Sequence, residues 1–115
     1  YNTLLADIPH VTLPHESPLC QSNFHLYVLK LDHHALGSTR ARVMKHLQDA
    51  GIYTQVHYIP VHLQPYYAQK YATKPGTFPK AEAYYDDCLS LPIFPLMLDT
   101  DIDHVVRTLR QALEQ

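Results

Sequence analysis

At 115 residues, 46% of them apolar, the chain has the size and apolar content of one globular domain and is no candidate for disorder. A formal charge of −2 with a pI near 6.5 leaves no basic excess to neutralise phosphates, which argues against nucleic-acid binding; no apolar run nears the ~20 residues of a membrane span. Cys20 and Cys88 are isolated and far apart, and no charged leader with an apolar core opens the chain, so a reduced, cytoplasmic compartment is expected rather than a disulfide framework.

Tyr1 to Gln21 is broken by Pro9, Pro14 and Pro18 and reads as an irregular opening segment, with a short helix at its start and an extended piece around Val11–Leu13. Asn23–Asp32 is the clearest strand, apolar on both faces, followed by a turn to Gly37. Ser38 or Thr39 caps a helix running to about Ala50, with Val43, Met44 and Leu47 as its apolar stripe and Gly51 as its left-handed stop. A second strand is expected at about Tyr53–Tyr58, then a loop carrying Pro60 and Pro65. Tyr66–Tyr71 makes one or two helical turns, and Pro79 opens a helix to about Asp87 with Glu82 in its first turn. Cys88–Phe94 is a third, short strand limited by Pro92. Thr100 caps the last helix, whose stripe is Ile102, Val105, Val106, Leu109 and Leu113. The alternation predicts an α+β fold, a small three-stranded, mainly antiparallel sheet with helices packed on one face, over one domain spanning 1–115.

Nine histidines invite a metal site, yet there is no H-E-x-x-H or C-x-x-C spacing, so no metal is expected. His10, His15, His33, His34, His46 and His104 read as scattered surface and loop residues. No serine sits in a G-x-S-x-G elbow, and neither cysteine sits in a nucleophile context, so no catalytic residue is assigned in this chain. The stretch Ile52–Pro65 is different. Pro60 fixes its own φ and removes an N–H, so the chain leaves the sheet in a restricted geometry with His57, Tyr58, His62 and Tyr66 on or beside the turn. Imidazole and phenol groups held there can hydrogen-bond the hydroxyls or phosphate of a sugar-type ligand. The plainer alternative is that His57 and Tyr58 close the end of the core.

Three ordered pieces, V-H-Y-I-P-V-H-L-Q-P-Y-Y (Val56–Tyr67), F-P-K-A-E (Phe78–Glu82) and L-S-L-P-I-F-P (Leu89–Pro95), resemble the C-terminal small domain of the DegT/DnrJ/EryC1/StrS family of pyridoxal-phosphate sugar aminotransferases. Within the family the likeness is nearest to the transaminase of the pseudaminic acid pathway, which acts on a UDP-linked 4-keto-6-deoxy N-acetylated hexosamine. The resemblance implies a fold-type-I enzyme that moves an amino group, usually from glutamate, onto a nucleotide-linked keto sugar. It also implies a homodimer with sites at the subunit interface, and His57, Tyr58 and His62 nearest the substrate cleft, with Tyr66 added as a substrate-binding candidate from its place beside the turn. The large domain, which brings the cofactor lysine, the acidic partner of the pyridinium nitrogen and the phosphate-binding residues, has no counterpart in this sequence. None of Lys30, Lys45, Lys70, Lys74 and Lys80 lies in a context like the family's lysine motif. The chain is therefore expected to be part of something longer, with no pyridoxal phosphate of its own and no turnover alone. Two rival readings are a free-standing α+β binding or regulatory module and a histidine-rich metal carrier. A domain taken from a larger enzyme is expected to expose a large apolar patch around the opening segment and the first long helix, which a self-sufficient module would not.

Overall fold

A computed structural model describes residues 1–114. Five α-helices, α1 (Asn2–Leu5), α2 (Arg40–Asp49), α3 (Pro65–Tyr71), α4 (Pro79–Asp87) and α5 (Asp99–Leu113), surround strands β1 (Val11–Thr12), β2 (Tyr27–Leu31) and β3 (Cys88–Leu91), with one 3-10 turn at Val61–Leu63. The sheet is antiparallel in the order β1-β2-β3, as the alternation predicts, with Val11 opposite Leu31 and Leu29 opposite Leu89. None of the described helices is long and apolar enough to cross a membrane.

Alternation along β2 sends Tyr27, Leu29 and Leu31 into the core. There they meet Val43 and Leu47 of α2 and Val105, Val106, Leu109 and Ala112 of α5, the three- and four-residue spacings that give each long helix one apolar face. All four residues of β3 are buried, as befits a strand covered on both faces. On the far side of the sheet, Tyr84 of α4 lines a cavity with Val28 and Lys30.

Three expectations are corrected. The third strand of the sheet is β1, not Tyr53–Tyr58. That stretch makes a single bridge, in which Gln55 and Ser90 exchange backbone hydrogen bonds of 3.2 and 2.8 Å. On that edge of β3 the groups facing outward alternate, so the next partner after Ser90 is Pro92, which has no N–H to give. The β2 strand starts at Tyr27 rather than Asn23, because the Asn23 side chain accepts the His25 N–H (3.2 Å) and Phe24 turns to φ +45°. The last helix starts at Asp99, one residue before its expected cap. Asp101 inside the first turn accepts the Leu98 N–H at 2.9 Å, and Thr100 does not cap. Thr39 caps α2 as expected, accepting the Arg42 N–H at 3.3 Å, and Gly51 ends it at φ +79°.

Candidate functional site

The backbone bridge between Gln55 and Ser90 fixes where the chain leaves the sheet, and the singled-out residues follow within a few positions. Ile52 and Thr54 point into the core while Tyr53 and Gln55 face solvent. His57, half-buried, turns its ring back so that Nδ1 lies 2.8 Å from the buried Ser90 hydroxyl. Its ring meets Tyr58 edge-on at 4.6 Å. Tyr58 itself is 73% exposed, so it does not close the core. Ile59 and Val61 are also exposed, and Pro60 leads into the 3-10 turn.

His62 and Tyr66 have partners of their own. The His62 ring is nearly buried: Nε2 sits 2.9 Å from Glu82 Oε1 and the ring meets Phe78 edge-on at 4.9 Å. The His62 carbonyl accepts the Thr73 hydroxyl at 2.6 Å. Glu82 also accepts the N–H groups of Gly76 (2.7 Å) and Phe78 (3.1 Å), so one carboxylate ties the 3-10 turn, the Pro75–Gly76 turn and the start of α4 together. The Gly76 N–H, then the His62 ring, hold the Glu82 carboxyl below its ordinary range. Tyr66 is exposed on α3; its hydroxyl accepts from Lys70 Nζ at 3.3 Å, and the same ammonium lies over the rings of Tyr66 and Tyr71 at 5.4 and 5.5 Å. An apolar groove of about 630 Å³ runs beside this turn, walled by Pro60, Val61, His62, Tyr67, Tyr71 and Phe78.

Sequence reasoning thus found His57 and Tyr58, which touch, and His62 and Tyr66, which each engage other groups. It missed Ser90 and the anchoring role of Glu82. Ser90 carries no signal of its own, because its partner lies 33 residues away in the chain. Among the scattered histidines, His33 departs from the surface reading: both ring nitrogens are buried without a partner among the described residues, and burial holds it below the usual imidazole range.

A pyridoxal cofactor needs an amine to attach to, an acid for its ring nitrogen and a cradle for its phosphate. Lys45 is bound to Asp49 on the exposed face of α2. Lys70 lies over two tyrosine rings, and Lys30 lines a cavity whose walls hold no carboxylate. Lys30, Lys45 and Lys70 thus lack the setting that cofactor needs, and among the described residues no group of three metal-ligating side chains converges.

The sequence profile of the DegT/DnrJ/EryC1/StrS aminotransferase family matches residues 1–110. The chain belongs to this family. The Saccharopolyspora erythraea protein named erythromycin biosynthesis sensory transduction protein EryC1 is 42% identical over 111 residues, covering 96% of this chain and 28% of that protein. Among solved structures, S. venezuelae DesV superposes with a TM-score of 0.86 at 32% identity, over 99% of this chain and 29% of DesV. Helicobacter pylori PseC, an aminotransferase involved in the biosynthesis of pseudoaminic acid, superposes with a TM-score of 0.84 at 25% identity, over 98% of this chain and 30% of PseC. The chain thus spans under a third of the length of these relatives. Their family is pyridoxal-phosphate dependent, and structures in the PLP form are among the neighbours that share the fold.

Proposed function

We propose that this chain serves as the C-terminal small domain of a pyridoxal-phosphate-dependent aminotransferase that moves an amino group from an amino acid, glutamate by preference, onto a nucleotide-linked 4-keto-6-deoxy sugar. The observation that carries the proposal is the family match over residues 1–110 in a chain under a third as long as its relatives. The cofactor would supply the electron sink for amine transfer. Because Lys45 and Lys70 are engaged elsewhere and the cavity beside Lys30 holds no carboxylate, the cofactor is assigned to a preceding large domain, in a homodimeric cytoplasmic enzyme. What the chain contributes is a substrate-covering edge. His57, Tyr58 and Tyr66 offer ring N–H and phenol groups to a sugar hydroxyl or phosphate oxygen, and His62 holds the loop that carries them.

The likeness to PseC, an aminotransferase involved in the biosynthesis of pseudoaminic acid, supports a UDP-linked N-acetylated hexosamine as this enzyme's substrate, and we take that sugar as the first to test. The decisive experiment incubates the 115-residue chain and a longer protein that includes it with pyridoxal phosphate, glutamate and the UDP-linked keto sugar, then reduces each with borohydride. Amino sugar and a trapped lysine adduct are expected in the longer protein only. A stoichiometric adduct on Lys30, Lys45, Lys70, Lys74 or Lys80 of the short chain, together with turnover, overturns the assignment.

A further inference from the structure

We propose that Ser90 is a positioning residue that holds the His57 ring in one tautomer, with Nε2–H presented as a hydrogen-bond donor to the substrate. This rests on the reading of His57 as a substrate-facing group. The Ser90 side chain is buried, and among the described residues its hydroxyl has one partner, His57 Nδ1 at 2.8 Å. A buried hydroxyl proton that finds no acceptor is costly. Were Nδ1 to carry the ring proton, it would donate to Ser90 Oγ and leave the Ser90 proton with nowhere to go. The satisfied arrangement has Ser90 Oγ–H donating to an unprotonated Nδ1, which places the imidazole proton on Nε2. Nε2 is not among the buried polar atoms and has no partner among the described residues, so it is free to donate outward.

The backbone makes this contact reproducible. Gln55 and Ser90 exchange two backbone hydrogen bonds, which fix Gln55, two positions before His57, against residue 90. Ser90 in turn lies opposite Val28 in the centre of the sheet. The ring is therefore tied through its own Nδ1 to one short strand, and Tyr58 braces it edge-on. A neutral imidazole held as an Nε2–H donor suits an oxygen acceptor, a phosphate or a sugar hydroxyl or carbonyl. It does not suit a role as proton acceptor at Nε2.

The test has two arms. In the first, ring nitrogens of the ¹⁵N-histidine-labelled chain are read by NMR at a pH where His57 is neutral. The native chain is expected to show Nε2–H alone, Ser90→Ala a mixture of tautomers, and Ser90→Thr the native pattern, each variant checked for an unchanged circular dichroism spectrum. An Nδ1–H ring in the native chain overturns the proposal, and that reading needs no variant to fold. In the second arm, kinetics in the longer aminotransferase are expected to give Ser90→Ala a KM for the nucleotide sugar about fivefold higher with kcat unchanged, as loss of one aligned hydrogen bond to substrate requires. His57→Ala is expected to raise KM at least as far. If His57→Ala raises KM and Ser90→Ala does not, positioning by Ser90 is wrong while the site stands. If His57→Ala leaves KM unchanged, the substrate role of His57 is wrong whatever the tautomer.

Discussion

Glu82 concentrates three hydrogen bonds on one carboxylate: Gly76 N–H, Phe78 N–H and the His62 ring. All three favour the charged form, so the folded chain binds this proton less tightly than the unfolded chain does. The stabilisation is therefore complete above the ordinary carboxylate range and is lost as pH falls through the lowered value. Thermal melting followed from neutral to acid pH is expected to show a declining Tm below the ordinary Glu value of 4.5, and Glu82→Gln is expected to flatten part of that decline. A Glu82→Gln chain with the native acid profile would show that the carboxylate does not couple these turns. Tyr58 gives the opposite kind of test, because its ring is largely exposed and Tyr58→Phe keeps the edge-on contact with His57 while removing only the hydroxyl. Tyr58→Phe is expected to leave Tm unchanged while raising KM for the nucleotide sugar about two- to tenfold in the longer enzyme.

At the scale of elements, α2 and α5 hold the sheet from one side through their apolar stripes. Leu47 and Leu109 are fully buried in the common core. Leu47→Ala is expected to cost about 2–5 kcal/mol in urea unfolding, since it removes core volume that the well-packed surroundings refill only in part. Gly51→Ala is expected to cost about 1 kcal/mol for a different reason: there is open space for the added methyl, but the residue sits at φ +79°. An unchanged midpoint for Gly51→Ala would mean that the turn after α2 relaxes without strain. The same scale explains the strand that failed to form. Residues 53–58 have the alternation of a strand, yet strand pairing is a contract with a partner edge, and the edge of β3 offers Pro92 where an N–H is needed.

At the scale of the whole molecule, the large exposed apolar side chains do not gather where the sequence led one to look. The first long helix, α2, exposes none of them, and the opening segment contributes Leu4 and Leu19. Most lie in two runs, Tyr53–Tyr71 and Ile93–Leu98, where Leu96 is 85% and Leu98 64% exposed. The short chain alone is expected to bind an environment-sensitive apolar dye, and Leu96→Asp is expected to lower that signal. A native chain that leaves the dye dark would favour the free-standing module instead.

Local chemistry settled much of this protein before any tertiary contact. Helix stripes, the Thr39 cap, the Gly51 stop and the proline-bounded β3 are all written in short spacings, and three ordered motifs carried the family. Which strand completes the sheet, where His57 points and what His62 holds depended on partners 20 to 33 residues away, Glu82 and Ser90 among them. A hydroxyl or a carboxylate reads the same in sequence whether it faces water or a distant imidazole. Only the folded chain brings the two together and removes the water that would otherwise satisfy them.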